Sequence, residues 1–144
     1  MRLSFVAAVT GLLGLASARI EGFAVPKTIK PGESFDAVLM GYNYIQTVAE
    51  IAAAFGVQPG QGYPGAIGTS LGSVYLGPAN SNKIGNLSFP VTIPADTAKG
   101  QASVSAALFQ IYGASGSPSV EIFNLTVTLG DVTSTEYVST DQPQ

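Results

Sequence analysis

The chain has no cysteine, no histidine and no tryptophan, and few of its residues are charged. Without His or Cys, neither a Ser-His-Asp nor a Cys-His catalytic arrangement can form, and zinc sites built on those ligands are excluded. Charged residues make up 10% of the chain, against an average of about 25%. With a formal net charge of −3, the chain lacks the clustered Lys and Arg that nucleic-acid binding requires. We therefore predict no enzyme, no cofactor, no metal and no nucleic-acid partner.

Two catalytic arrangements survive these exclusions, and both are weak. A Ser-Lys pair would need one of four lysines in turn-like sequence, namely Lys27, Lys30, Lys83 and Lys99. Two carboxylates could hydrolyse a glycosidic bond, and the candidates are Glu50, Asp96 and Glu121. We expect Glu121 to reach water at a strand end, because unpaired burial of a charge is costly. A carbohydrate-acting enzyme is therefore the weakest functional hypothesis.

The N-terminus has the three-part layout of a secretory signal peptide. A short basic start precedes an almost wholly apolar run over residues 3–15, and Ala16-Ser17-Ala18 forms a small-x-small site before Arg19. The apolar run is shorter than the roughly 20 residues that a membrane span needs. The sequence predicts removal of residues 1–18 by cleavage between Ala18 and Arg19. We predict that the remainder is secreted to the extracellular space as a monomer without a membrane span, with entry into the host cell left open; an N-terminal membrane anchor is the alternative.

The rest of the chain reads as one all-β domain over residues 19–130. Leu87, Phe89 and Val91 alternate with polar residues, which is typical of a half-buried strand. Pro90 cannot donate to a ladder, so that strand should lie at an edge or carry a bulge. Further strands are predicted over residues 20–26, 34–40, 69–76, 101–112 and 121–129, the last two forming a hairpin. This pattern predicts an antiparallel, immunoglobulin-like β-sandwich, followed by a polar, flexible C-terminal tail over residues 131–144.

Two segments do not fit the strand pattern. Residues 42–55 are alanine-rich and carry apolar residues at helical spacing, at Ile45, Val48, Ala49, Ala52 and Phe55. We predict a short helical segment there, with a strand as the alternative. Residues 56–72 are rich in glycine and predict a long loop. Long loops inside compact domains are uncommon and often functional.

Two sequons stand in this secreted chain, at Asn86-Leu87-Ser88 and Asn124-Leu125-Thr126. If the leucines and phenylalanines of these strands face the core, Asn86 and Asn124 face solvent. We therefore predict N-glycosylation at one or both. The alternative is that both are exposed strand asparagines whose sequons go unused.

Tyrosines are the candidate contacts with a partner protein, because tyrosine combines an apolar ring with a polar tip. Tyr42, Tyr44, Tyr63 and Tyr75 are predicted to form an exposed set around the glycine-rich loop. Loops on a rigid sheet commonly carry binding. We therefore take Tyr63 and Tyr75, together with Tyr112 at the start of the 112–118 loop, as candidate partner-binding residues. Packing of these rings onto the sheet edge is the alternative.

Several motifs occur in an order that resembles a known family. They are Tyr44-Ile45-Gln46, Ala54-Phe55-Gly56-Val57, Tyr63-Pro64-Gly65, Tyr75-Leu76-Gly77-Pro78-Ala79-Asn80-Ser81-Asn82, Lys99-Gly100-Gln101-Ala102 and Tyr112-Gly113-Ala114-Ser115-Gly116-Ser117-Pro118. Together they resemble the fungal secreted effector family named for a necrosis-inducing secreted protein. The resemblance covers roughly residues 19–130, and its blocks are specific in combination.

This resemblance implies a cysteine-poor β-sandwich that is not an enzyme. It also implies a fungal effector that suppresses plant pattern-triggered immunity by binding host receptor-associated kinases, with necrosis of host tissue left open. The alternative hypothesis is a structural protein of the fungal cell wall or matrix with an immunoglobulin-like fold, which the secretion signal and the sequons suit equally well.

Overall fold

The computed structural model describes residues 17–141, which fold into two β-sheets. The elements are β1 (Ser17–Pro26), β2 (Thr28–Ile29), β3 (Ser34–Tyr44), β4 (Val48–Pro59), β5 (Thr69–Tyr75), α1 (Gly77–Asn80), β6 (Gly85–Thr92), β7 (Gly100–Tyr112), β8 (Ser117–Leu129) and β9 (Tyr137–Ser139). One sheet has the strand order β6-β3-β1-β9, and the other has the order β2-β8-β7-β4-β5. Only the short β2–β8 pair is parallel among these strands. The predicted all-β sandwich is confirmed.

The strands follow the alternation of the sequence. In β8 the apolar residues from Phe123 to Leu129 are buried at every second position, and the polar residues between them are exposed. β8 pairs with β7 along its whole length, from Gly100↔Leu129 to Tyr112↔Ser117, so the predicted hairpin is confirmed. Pro90 lies in β6 at the edge of the four-stranded sheet, where a residue without a backbone N–H is tolerated.

Aromatic rings join the two sheets at the centre of the core. Phe23 of β1 is fully buried, and its ring centroid lies 6.2 Å from that of Phe55 in β4 and 6.5 Å from that of Phe123 in β8. Burial of one such side chain stabilises a fold by roughly 1.5–3 kcal/mol. The contact between Phe23 and the facing sheet therefore sets how the two layers pack.

The prediction of a short helical segment over residues 42–55 is wrong. Residues 42–44 end β3, and residues 48–55 lie in β4. A β-bulge between Glu50 and Ala52 shifts the pairing of β4 with β7 by one residue. Buried residues therefore occur at Val48 and Glu50 and then at Ala53 and Phe55. The three-residue step from Glu50 to Ala53 resembles helical spacing. It arises because the extra residue of a bulge moves the residues after it to the opposite face of the strand.

The glycine-rich segment is a loop over a shorter range than predicted. Its first residues continue β4 as far as Pro59, and β5 begins at Thr69. The loop proper therefore comprises residues 60–68, which we call the glycine-rich loop. The predicted strand after it is confirmed as β5, and the four-residue helix α1 follows.

Residues 131–141 differ from the fraying tail that their polar composition predicts. Tyr137 to Ser139 form β9, which pairs with β1 at Ala24 to Pro26. The backbone amide of Phe23 donates to the Thr140 hydroxyl at 3.0 Å, and the Thr28 amide donates to the Ser134 hydroxyl at 3.1 Å. The sequence carries no signal for this, because Val138 is the residue of this segment that packs against the core and the other contacts are hydrogen bonds, most of them to the backbone edge of β1 and β2.

The predicted signal peptide lies outside the described residues except for Ser17 and Ala18, the first two residues of β1. Cleavage between Ala18 and Arg19 stays a prediction. From Arg19 onward β1 keeps its pairing with β3. No helix within residues 17–141 is long and apolar enough to cross a membrane.

Candidate functional site

The outer face of the five-stranded sheet is the surface on which the candidate residues lie. Strand registers align its outward side chains in rows across β5, β4, β7 and β8. One row is Tyr75, Ala52, Phe109 and Val120; the next is Ser73, Ala54, Ala107 and Ile122; the third is Gly56, Ser105 and Asn124; the fourth is Gln58, Ser103 and Thr126. We call the first two rows the open end and the last two rows the covered end.

At the covered end the polar residues of β4 and β7 are buried, whereas Asn124 and Thr126 of β8 are exposed. Ser103 and Ser105 are 3% and 0% exposed, and Gln58 is 6% exposed. The glycine-rich loop folds back over them, and the Gln58 side chain fastens it: Nε2 donates to the Ala66 carbonyl at 2.8 Å, and Oε1 accepts from the Tyr63 amide at 3.0 Å. A buried amide with both of its ends satisfied in this way holds the loop on the sheet.

The loop lies so close to β4 that only glycine fits beneath it. A Cβ on Gly56 would be 2.2 Å from the carbonyl oxygen of Ile67, a backbone atom that cannot move aside without the loop. The glycines of the predicted loop therefore allow close backbone packing at this point, in addition to tight turns.

At the open end every residue except the exposed Ser73 is apolar, and three of the apolar side chains reach solvent. Tyr75 is 73% exposed, Val120 is 61% exposed and Phe109 is 37% exposed, while the alanines between them are half-buried. A contiguous exposed apolar patch on a soluble protein commonly marks an interaction site. The open end can therefore bury apolar area against another surface, and aromatic rings are the residues that such interfaces favour.

Tyr75 owes its position to the motif that follows it. Gly77 has φ +58, and a Cβ there would lie 2.5 Å from the Tyr75 ring. The backbone N–H of buried Leu76 donates to the Ile51 carbonyl at 2.9 Å, which ties the end of β5 to the bulge in β4. Beside these residues runs an open groove of ≈ 520 Å³ whose lining includes Val48, Tyr75 and Pro78.

Glu50, a candidate catalytic carboxylate, is instead a buried structural group. It is 1% exposed and points inward from β4. Its Oε1 accepts from the Ile20 amide at 3.0 Å, and its Oε2 accepts from the Ser81 hydroxyl at 2.7 Å and the Asn82 amide at 2.9 Å. These bonds join β1, β4 and the segment after α1, and they satisfy the charge that burial would otherwise penalise.

Of the other two candidate carboxylates, Asp96 is far from Glu50 and Glu121 is hydrogen-bonded to Gln110. Asp96 is exposed in the turn before β7. Glu50 pairs across the strands with Gln110, which lies near the opposite end of β7. Ten residues of extended chain span about 33 Å, whereas paired glycosidase carboxylates stand within about 10 Å. Glu121 is half-buried within β8 and accepts from Gln110 Nε2 at 3.2 Å, so the expectation of a strand-end position is wrong.

Tyr112 belongs to a cluster around Arg19. Arg19 Nη1 donates to the Tyr112 hydroxyl at 2.8 Å, and its Cζ lies 4.9 Å from the centroid of the Tyr44 ring. The two tyrosine rings meet edge to face at 6.2 Å. Burial raises the pKa of the Tyr112 phenol, and the Glu121 carboxylate adds to the rise, against the opposing effect of Arg19. Tyr112 is thus half-buried in this cluster.

The four tyrosines predicted to surround the glycine-rich loop do not form one set. Tyr63 lies on the loop and is 79% exposed, and Tyr75 lies on the open end. Tyr44 packs against Tyr112, and the Tyr42 hydroxyl bonds to Asp141 next to β9. Only Tyr63 and Tyr75 therefore stand on or beside the outer face.

Both sequon asparagines are exposed, as the alternation predicted. Asn86 lies in the edge strand β6, opposite Met40 of β3. Asn124 lies in β8 on the outer face of the other sheet, opposite Ser105. Their glycosylation stays a prediction.

Sequence reasoning missed most of the open end, although a signal for it exists. Outward positions of β7 and β8 are polar at Ser103, Ser105, Asn124 and Thr126 but become apolar at Ala107, Phe109, Val120 and Ile122. A strand pair whose outward phase turns apolar over part of its length predicts an exposed apolar patch. Gln58 was missed as well, and nothing in its sequence context distinguishes it.

Comparison with known proteins agrees with the motifs read from the sequence. The Nis1 family model matches residues 16–128. A protein of Colletotrichum orbiculare named necrosis-inducing secreted protein 1 is 48% identical over 137 residues, which cover 94% of this chain and 85% of that protein. The protein of the same name from Colletotrichum higginsianum is 49% identical over 138 residues, covering 95% and 96%.

Among solved structures, a superoxide reductase (neelaredoxin) from Ignicoccus hospitalis matches with a TM-score of 0.45 and 11% identity, over 79% of this chain and 80% of that chain. Both Colletotrichum relatives carry the word secreted in their names, and the predicted extracellular localisation is confirmed. The family model matches well over half of the chain and the two relatives match more than nine-tenths of it, so the protein is a member of the Nis1 family.

Proposed function

We propose that this protein is a secreted fungal effector that suppresses plant pattern-triggered immunity by binding host receptor-associated kinases. Membership of the Nis1 family supports the effector role, since its relatives are named for secretion and for inducing necrosis. The chemistry supports binding rather than catalysis, because the chain has no histidine or cysteine. Glu50, the buried carboxylate among residues 17–141, accepts hydrogen bonds from three donors.

The open end is the observation that carries this proposal. Its exposed side chains, from Tyr75 on β5 to Val120 on β8, form one apolar strip across four neighbouring strands. The groove beside Tyr75 can accept an apolar side chain of the partner. A specific interface buries about 800 Å² per partner, so the contact extends from the open end onto this groove.

Charge adds little to such an interface. The chain has six basic and nine acidic residues, so long-range attraction between this protein and a kinase is weak. Affinity then comes from apolar burial and aromatic packing, and it should depend weakly on salt concentration. Tyr63 lies beyond the open end, and Tyr112 is committed to the Arg19 cluster, so Tyr75 is the tyrosine that we assign to the partner.

The test compares two exposed valines. Val120 lies in the open end and is 61% exposed, whereas Val132 lies after β8, outside it, and is 66% exposed. Purified Val120→Asp and Val132→Asp proteins are mixed with the cytoplasmic domains of plant receptor-associated kinases, and affinities are measured by calorimetry. Val120→Asp should weaken binding about tenfold or more, equivalent to about 1.4 kcal/mol, and Val132→Asp should not.

Two results would contradict the proposal at different levels. Equal binding by Val120→Asp and the parent would show that the interface lies elsewhere on the molecule. If the parent protein captured no kinase and left the oxidative burst of plant tissue undiminished, the effector function itself would be wrong.

A further inference from the structure

Asn124 is placed to carry a glycan on the outer face. Its Oδ1 accepts a hydrogen bond from the hydroxyl of Ser105, directly opposite on β7, at 2.6 Å. Ser105 is fully buried, so this bond fixes the amide. With Oδ1 bonded to Ser105, the exposed side chain leaves Nδ2, the atom that N-glycosylation modifies, for a glycan.

A groove adjoins Asn124. Its walls are Asn124 on one side and the tip of the glycine-rich loop, Gln61 to Pro64, on the other. Tyr63 lines it and is 79% exposed. An exposed aromatic ring beside a glycosylation site offers an apolar face to the C–H groups of a sugar ring, in the same way that aromatic rings pack on other apolar partners.

We propose that Asn124 carries an N-linked glycan whose first N-acetylglucosamine packs on Tyr63 and holds the glycine-rich loop on the sheet. In the transfer step, Nδ2 of Asn124 attacks C1 of a lipid-diphosphate-linked oligosaccharide of the secretory pathway. The bond from Nδ2 to C1 forms, the bond from C1 to the diphosphate oxygen breaks, and the lipid diphosphate leaves. The amide loses one proton to a basic group of the transferase.

The glycan would complete the cover over the buried polar residues. Gln58 already holds the loop backbone at Tyr63 and Ala66, and a sugar between Asn124 and Tyr63 adds a second attachment, from β8. Val120 is four residues from Asn124 along β8, about 14 Å away. The glycan would therefore occupy the covered end and leave the open end free.

The test uses the full chain secreted from a fungal host, with peptide mass spectrometry at Asn124. The effect of Tyr63→Ala is measured in three backgrounds. The first is the fully glycosylated protein, and the second is the same protein trimmed by an endoglycosidase to one N-acetylglucosamine. The third is Thr126→Ala, which keeps Asn124 but destroys its sequon. Thr126 is exposed, so the change itself should be nearly neutral. Ser88→Ala, which removes the Asn86 sequon, is the matched control.

Tyr63→Ala should lower the Tm by about 2–4 °C in the glycosylated and the trimmed proteins and leave it unchanged in Thr126→Ala. Ser88→Ala should keep the full effect. Amide hydrogen exchange over residues 60–68 should be faster in Thr126→Ala than in the parent. An unmodified Asn124, or a Tyr63→Ala effect of equal size without the glycan, would overturn the proposal. Neither outcome bears on kinase binding at the open end.

Discussion

The two ends of the outer face invert the usual relation between polarity and burial. At the covered end, Ser103, Ser105 and Gln58 are polar and buried, because the glycine-rich loop lies on them. At the open end, Tyr75, Phe109 and Val120 are apolar and reach solvent. The same strands, β4 and β7, run through both ends, so the difference comes from what covers them.

Each end is fastened by one buried polar side chain of β4. Gln58 points outward and holds the loop of the covered end, whereas Glu50 points inward and holds β1 and the residues after α1 beneath the open end. Polar residues that are fully hydrogen-bonded in this way specify one arrangement of the segments around them. The open end has no cover of this kind among residues 17–141, and for this reason we assign the proposed partner to it.

The largest effect on stability is expected from Glu50, whose hydrogen bonds hold the segments beneath the open end. Glu50→Ala leaves the buried Ile20 amide and the partly buried Asn82 amide without their acceptor, which should lower the free energy of unfolding by about 3–5 kcal/mol. Urea denaturation followed by circular dichroism measures it. Glu33→Ala, at an exposed turn position, is the control and should stay within about 0.5 kcal/mol of the parent. A Glu50→Ala protein as stable as this control would show that the corner does not depend on the carboxylate.

A smaller effect is expected at the covered end. Gln58→Ala removes two hydrogen bonds to the loop and should cost about 2 kcal/mol. Protease cleavage within residues 60–68 should also become faster, because the loop loses its attachment. Gln101→Ala changes an exposed glutamine of β7 and should leave both properties unchanged. Equal cleavage rates in the two variants would mean that Gln58 does not hold the loop.

The contrast between the two ends also shows which parts of the structure can be predicted from the sequence. Alternation predicts β6, β7 and β8, because the core-facing positions of each are mostly apolar and the pairing of β6 with β3 and of β7 with β8 has no irregularity. It fails at β4, where the bulge at Ile51 reverses the faces, and it cannot show that Ser103 and Ser105 are buried. Their burial depends on a loop returning from residues 60–68, which is a tertiary event. The structural role of Glu50 could not be predicted for the same reason, since its hydrogen-bond donors lie about 30 residues away in the sequence.

At high pH a moderate effect is expected from Tyr112, beneath the open end. Burial raises the pKa of its phenol above the ordinary value of 10.0, so the folded protein keeps the proton after the unfolded chain begins to ionise. Stability from this group is full below pH 10.0 and falls as the pH rises further. Thermal unfolding from pH 8 to pH 11 should show this decline, and Tyr112→Phe should make it shallower.

Tyr137 offers a check on that interpretation in the other sheet. Burial also raises the pKa of its phenol, so Tyr137→Phe should likewise make the decline shallower. Because the two tyrosines lie on different sheets, the double variant should show the sum of the two changes. A slope that neither substitution alters would assign the alkaline loss of stability to other groups.

The smallest effect on the free energy of unfolding is expected from a substitution at the open end. A small effect would show that the exposed apolar residues there do not stabilise the fold. Val120→Thr replaces a methyl group that is already largely exposed, so the free energy of unfolding should change by less than about 0.5 kcal/mol. Val104→Thr makes the same replacement on β7 at a residue that is 1% exposed, where burial of an unpaired hydroxyl should cost about 1–3 kcal/mol. A large loss for Val120→Thr would mean that the open end stabilises the fold. A negligible loss would agree with the proposed binding surface, because exposed apolar area contributes little stability until a partner covers it.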